Sequence, residues 1–336
     1  VPVGESTCVS CGTCVQVCPT GALIDRVSAY QGRQTEVERI KSTCAGCSVG
    51  CGIVLNVRDN RLVRIEGDWD APVNQGILCE VGRFLPLNEE RERVVIPLVR
   101  KNGQLKAATW KEALGYVASK LKPLAGQNGR GVAALASTRL PVEALHRFDQ
   151  LFAKNLGSDM VTSIEEGVTT AIPGLVAQQS GKSFEGKLEA LKESDCVVAI
   201  GVDLVKNHQV AGFFVKRALP HGTKLVVIDP FDNGLHDLAD YSLRPAKGTD
   251  YELITALASG IVELQLAQAD EADLPELAKY TPEKVRKSTG IDLDTILAVG
   301  KLIMAAKKPT FVYGKGLTRN ESDATLKALL RLAKLA

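Results

Sequence analysis

"STCAGCSVGCG", residues 42–52, sets Cys44, Cys47 and Cys51 in one short loop with Gly46 and Gly50 between them and Gly52 just after. Cys79 is the next cysteine, and the four together read C-x2-C-x3-C-x27-C. A four-cysteine zinc site favours two separated C-x2-C knuckles. Three thiolates from one turn and one from a distance suit a cubane better, because glycines let the backbone come close to the sulphides. The spacing predicts one complete [4Fe–4S] cluster on Cys44, Cys47, Cys51 and Cys79.

Upstream, "STCVSCGTCVQVCP" (residues 6–19) holds Cys8, Cys11, Cys14 and Cys18 as C-x2-C-x2-C-x3-C-P. In bacterial two-cluster ferredoxins the first three thiolates of such a run hold one cluster and the fourth reaches to another. Cys8, Cys11 and Cys14 are therefore expected to hold a second [4Fe–4S] cluster whose fourth ligand comes from elsewhere. Cys18 is expected to ligate a further [4Fe–4S] cluster, the alternative being one isolated cluster on all four cysteines with Cys18 folded back. No second run of this spacing exists in the 336 residues, so its partner is expected upstream of Val1. The chain starts with Val rather than Met, which agrees.

Eight of the nine cysteines precede residue 80. A secreted disulfide scaffold would spread them along a short chain. Metal ligands in a reducing compartment are the better reading, so a cytoplasmic protein is expected. Composition is that of an ordinary globular chain, 45% hydrophobic and 24% charged. A net charge of +2 without a Lys/Arg block leaves no nucleic-acid footprint. No apolar stretch nears the ~18 residues of a membrane span, and "VPVGEST" does not read as a signal peptide.

Outward from the cysteines the texture changes twice. Residues 1–40 are too short and polar to form a domain without metal. Residues 41–108 are β-rich: one hairpin turns at Asp59-Asn60, between "GIVLNV" and "RLVRIEG", and another at Asn102-Gly103. Residues 109–336 alternate helices and strands. Thr109 and Glu112 form a capping box, followed by Trp110, Leu114, Val117 and Leu121 at helical spacing, an expected inward face. "GVAALAS" reads as a short buried strand, and Pro141 opens a helix with Leu145, Phe148, Phe152 and Leu156 inward. "CVVAIG", "KLVVID" and "PTFVYG" read as buried strands, and "HQVAGFFVKRALPHG", "DYELITALASGIVEL" and "DLDTILAVGKLIMAAKK" as helices. Such alternation implies an α/β fold with a doubly wound parallel sheet. Ligands of such sheets sit at the carboxyl ends of strands. These ends are Ser137-Thr138, Gly201-Val202-Asp203, Asp229-Pro230 and Gly314-Lys315-Gly316. Cys196, between apolar residues, reads as a small buried hydrophobe. His146, His221 and His236 read as structural or solvated. His208, just past a strand end, is the histidine placed to touch a ligand, with helix capping as its alternative.

The cysteine spacings, "CEVGRF" after the remote cysteine, and the ordered set "IGVDLVKNH", "VIDP" and "KGTD" resemble the molybdopterin-dependent oxidoreductase superfamily. The resemblance is to the large subunits of NAD-linked formate dehydrogenases and the large iron–sulphur subunit of respiratory complex I. It implies a small cluster domain beside α/β domains that cradle molybdopterin guanine dinucleotides, here truncated. Carried over, Gly201, Asp203, Asn207, His208, Asp229, Gly248, Thr249 and Asp250 would line one dinucleotide. It also implies partners: a flavin- or NADH-handling subunit and other iron–sulphur subunits. Departures stand beside it. Val81 occupies the place of a relay lysine, Phe231 that of an arginine, and residues 158–185 contain neither Cys nor His to ligate a pterin-bound metal. An electron-transfer subunit is therefore expected, with an N-terminal part of a working molybdenum or tungsten formate dehydrogenase as the alternative. No catalytic residue is expected in this chain.

Overall fold

The structure, a computed structural model, describes residues 8, 10–89, 92–125, 129–137, 139–163, 176, 181, 186–314, 317 and 323–336. Thr138, Glu165, Glu166, Lys315 and Gly316 lie outside them, as does most of the stretch 158–185. The chain divides into two compact units, Val1–Leu87 with Ala171–Ala336, and Asn88–Thr170.

In the first unit, helix α1 (Thr13–Val17) carries Cys14 and buries no residue. Strands β1 (Glu38–Thr43), β2 (Gly52–Arg58) and β3 (Arg61–Gly67) form an antiparallel sheet in that order. Asp59 and Asn60, at φ 49° and 58°, supply the left-handed turn that the hairpin needs. Every residue of β1 is exposed, so "ERIKST" shows no apolar alternation to announce a strand. The short helix α2 (Glu80–Phe84) starts at Cys79, whose sulphur caps it.

In the second unit, β4 (Leu98–Lys101) and β5 (Gln104–Ala107) form the hairpin about Asn102-Gly103. The capping box of Thr109 and Glu112 opens α3 (Trp110–Leu121) as expected. Its expected inward face differs: Trp110, Leu114 and Val117 are 71%, 61% and 49% exposed. Helical spacing identifies an apolar stripe, and nothing among the described residues covers it. Strand β6 (Ala134–Ala136) pairs parallel with β7 (Val161–Ser163). Helix α4 (Val142–Asp149) passes into a π-helical turn, Gln150–Asn155, with Phe148 and Phe152 ring centroids 4.7 Å apart.

The chain then returns to the first unit and builds its larger sheet. Strands β8 (Cys196–Ile200), β9 (Lys224–Ile228), β10 (Tyr241–Leu243) and β11 (Pro309–Tyr313) are all parallel, in the order β10-β9-β8-β11. Alternate residues serve opposite faces. Val198, Ile200, Val226 and Ile228 pack with helices Asp250–Glu263, Leu293–Ala305 and Asp323–Leu335. Val197, Ala199, Leu225 and Val227 pack with helix Gln209–Ala218 and with Cys51, Ile53, Ile65 and Leu78 of the cysteine region. Each fully buried Val or Ile adds about 1.5–3 kcal/mol. The second face therefore fastens the cysteine region to the sheet through one shared core.

Candidate metal centre

Cys44 follows β1, and its N–H donates to the Cys51 carbonyl at 2.8 Å, closing the loop between them. The sulphurs take backbone donors: Gly46 N–H to Cys44 Sγ at 3.4 Å and Gly82 N–H to Cys79 Sγ at 3.3 Å. A Cβ on Gly82 would stand 3.2 Å from Cys44 Sγ, so glycine lets α2 approach the loop closely. Burial pushes the Cys51 thiol up to about 12, and the neighbouring Cys44, Cys47 and Cys79 add to the rise. Burial also raises Cys79; the Gly82 N–H opposes this, and Cys44 and Cys47 reinforce it. Thiols raised in this way, as Cys51 and Cys79 are, bind metal as thiolates only against strong positive charge, which a bound iron cluster would supply.

That donor set fits a cubane. Among the described residues no three His, Cys, Asp or Glu side chains converge on a single-ion site. In a cubane each protein thiolate binds its own iron, so convergence on one ion is not the geometry required.

The upstream cysteines are less enclosed. Cys8 and Cys14 are exposed, and Cys11 and Cys18 are half-buried. Cys18 is drawn down to about 7, first by the Thr20 hydroxyl and then by the backbone N–H groups of Leu23, Thr20 and Ala22. Cys18 lines a cavity of about 360 Å³, whose walls include Gln16, Ile24, Arg64 and Arg83 but not Cys8, Cys11 or Cys14. Two side chains tie the segment to β3 and α2. Gln16 exchanges hydrogen bonds with Gly67 at 2.9 and 3.0 Å, and Arg83 Nε donates to the Cys11 carbonyl at 2.8 Å.

The carboxyl edge of the larger sheet holds most of the other candidates. Gly201 leaves β8 at φ 55°, and Asp203 caps helix Leu204–Asn207 by accepting the Lys206 N–H at 2.9 Å. Asp229, 6% exposed, accepts from Phe231 N–H at 2.9 Å and Asn233 Nδ2 at 3.0 Å. Gly248 (φ 84°) has open space at its Cβ position, and Thr249 donates to the Ala246 carbonyl at 2.7 Å. Burial raises the Asp250 carboxyl, and the charge of Asp229 raises it further. Carboxylates at a strand end can accept hydrogen bonds from N–H groups of a ligand. Asn207 ends its helix, and His208 Nε2 lies 3.1 Å from Ser48 Oγ in the loop of Cys47. The loop of Cys44 to Cys51 thus touches His208 directly. His208 makes no cap with its side chain. His236 is structural, held by Ser242 Oγ at 2.7 Å and the Phe231 carbonyl at 3.0 Å. Cys196 is 1% exposed, in agreement with its reading as a hydrophobe.

The family model "Molybdopterin oxidoreductase" matches residues 93–336, its Fe4S4 domain residues 37–87, and a 4Fe-4S binding domain residues 1–24. The chain belongs to the molybdopterin oxidoreductase family. It is 30% identical over 308 residues to a nitrate reductase of Symbiobacterium thermophilum, covering 84% of this chain and 41% of that one. Identity to the F420-dependent formate dehydrogenase subunit alpha of Methanocaldococcus jannaschii is 26%, over 89% of this chain and 46% of that one. For an NADH-quinone oxidoreductase subunit of Rhizobium meliloti the figures are 28%, 76% and 30%. The chain therefore spans less than half the length of each of these relatives. Acetylene hydratase from Pelobacter acetylenicus superposes with a TM-score of 0.73 at 21% identity, over 89% of this chain and 43% of its own, and shares the fold. The family, the α/β fold class and the 4Fe-4S and molybdopterin character inferred from the residues are thereby shown. No helix among the described residues is long and apolar enough to cross a membrane.

Sequence reasoning missed three residues that the structure brings to the centre: Gln16, Ser48 and Arg83. Arg83 alone carried a signal, standing one helical turn after Cys79.

Proposed function

We propose that this chain is an electron-transfer iron–sulphur subunit of a multisubunit oxidoreductase linked to NAD(P)H, formate or hydrogen. Its pterin-type fold serves as scaffold and supplies no metal thiolate of its own. A [4Fe–4S] cluster bound at Cys44, Cys47, Cys51 and Cys79, and another at Cys8, Cys11 and Cys14, would each supply a one-electron site. The chain's own residues hold these sites in sequence. Gln16 and Arg83 dock the first segment onto β3 and α2, and the shared core fastens the second cysteine group to the sheet. The observation that carries the reading is this docking of two cysteine groups within one compact unit. The absence of Cys and His from residues 158–185 supports it. On this reading Cys18 serves a further cluster, which its separate cavity favours, and the partners are a flavin- or NADH-handling subunit and other iron–sulphur subunits. A cytoplasmic setting follows from the reliance on reduced thiolates.

A second reading, the N-terminal part of a molybdenum or tungsten formate dehydrogenase, is favoured by the Asp229–Asp250 edge. Gly201, Asp203, Asn207, His208, Gly248 and Thr249 would there join the two carboxylates around a pterin guanine dinucleotide. Metal and pterin analysis of the intact complex separates the two. Iron and acid-labile sulphide without stoichiometric molybdenum or tungsten support the first. One molybdenum or tungsten per chain with formate-dependent dye reduction overturns it.

A further inference from the structure

Arg83 is 3% exposed, yet it carries a full positive charge into the junction between the cysteine groups. Its Nε donates to the Cys11 carbonyl at 2.8 Å and its Nη1 to the Ile65 carbonyl at 3.3 Å. Its Nη2 is buried and has no hydrogen-bond partner. The side chain cannot swing away, because the Cys11–Cys14 loop rests on it: a Cβ on Gly12 would stand 2.7 Å from Arg83 Cδ and 2.9 Å from Nε. A buried cation with an unsatisfied donor is costly unless an anion meets it. Glu66 is near but already engaged by Arg39 at 3.4 Å and Arg64 at 2.8 Å. Burial lowers the Arg83 pKa, and Cys11, Glu66, Cys14 and Cys79 act against that, in this order. Arg83 thus touches both cysteine groups, its Nε donating to the Cys11 carbonyl and its backbone N–H to the Cys79 carbonyl at 3.0 Å.

We propose that Arg83 is the buried counter-charge of the cluster that Cys8, Cys11 and Cys14 would hold, its charge and unpartnered Nη2 holding that cluster's reduction potential up. This rests on the reading of those cysteines as cluster ligands. Reduction adds one negative charge to a cluster and transfers no atom. A fixed cation and an N–H donor beside the sulphur stabilise the reduced form. Arg83 is thus a positioning and tuning residue. It favours residence of the electron on the first cluster, next to the second cysteine group, whose Cys79 caps the helix of Arg83.

The test is an EPR-monitored redox titration of the anaerobically purified intact complex, wild type beside Arg83→Gln and Arg83→Lys. The first cluster's signal is assigned by its loss in Cys14→Ala. In Arg83→Gln its potential should fall by at least about 59 mV, a tenfold change in its reduced-to-oxidised ratio. The Cys44 group's cluster should move less, and Arg83→Lys should stay near wild type. Unchanged potentials in Arg83→Gln, with both clusters assembled, overturn the proposal alone. Loss of the first cluster in both Arg83 variants also overturns it, since Arg83 would then serve assembly only. A wild-type complex without a signal removed by Cys14→Ala overturns the cluster reading itself, and this proposal with it.

Discussion

The two cysteine groups are held by different physics. Cys51 is 4% exposed and belongs to the same core as Val197, Leu225 and Phe214, so its loop is part of a folded body. The group of Cys8, Cys11 and Cys14 sits on a segment whose five-residue helix buries nothing. Polar clasps hold it instead, chiefly Gln16 on Gly67 and Arg83 on Cys11. At a cysteine set inside a core the metal's binding energy adds to that of the core, whereas on a clasped segment it adds to a few polar contacts. The comparison explains why one region supplies fold and the other a detachable link.

The largest effect is expected at Cys51→Ala. Structural metal sites contribute on the order of 10 kcal/mol to folding. This variant should lose one cubane's iron and sulphide per chain, and residues 38–87 should lose amide-exchange protection. Retained protection without iron would show that the shared core alone suffices there. Gly12→Ala should act on the other group. At φ 67° a side chain costs about 1–3 kcal/mol, and the new methyl collides with Arg83 and Phe84. The first cluster should be lost and the Cys44 group's retained; iron counts and EPR check this. Loss of both together would erase the distinction drawn above.

A smaller effect is expected at Gln16→Ala, which removes two hydrogen bonds to Gly67, worth ~1–2 kcal/mol together. Limited proteolysis should cut residues 10–36 faster while thermal unfolding of the sheet stays unchanged. Smallest is a pH effect at Cys196, a lone cysteine that serves as control for both groups. Burial lifts its thiol to about 11 from an ordinary value of 9.0. The neutral form is thus favoured on folding. Its contribution is complete below pH 9.0 and lost as pH rises through about 11. Denaturant melts of wild type and Cys196→Ala should converge over that window, and native Cys196 should resist alkylation at pH 8. Rapid alkylation there would contradict its burial.

What could be read from the sequence followed local chemistry. Asp59-Asn60 and Asn102-Gly103 mark hairpins because their conformations need those residue types. "CVVAI" and "KLVVI" read as parallel strands because both faces are covered. What could not be read depended on distant partners. β1 shows no pattern because neither of its faces is buried. β10, three residues long, is too short to show a period. The stripe of Trp110, Leu114 and Val117 is apolar as helical spacing indicated, but spacing alone does not say what an apolar stripe meets. At the centre the cysteines were legible because cluster chemistry fixes their spacing. Ser48 and Gln16 were not, since one hydroxyl and one amide look alike wherever they stand.

The account rests on two clusters held close within one compact unit. Dithionite-reduced intact complex, studied by EPR beside Cys14→Ala and Cys51→Ala, tests this directly. Two [4Fe–4S] signals that broaden or split each other, each simplifying when the other group's cysteine is replaced, are the predicted result. Zinc in place of iron at the Cys44 group, or two signals unaffected by each other's removal, would contradict it.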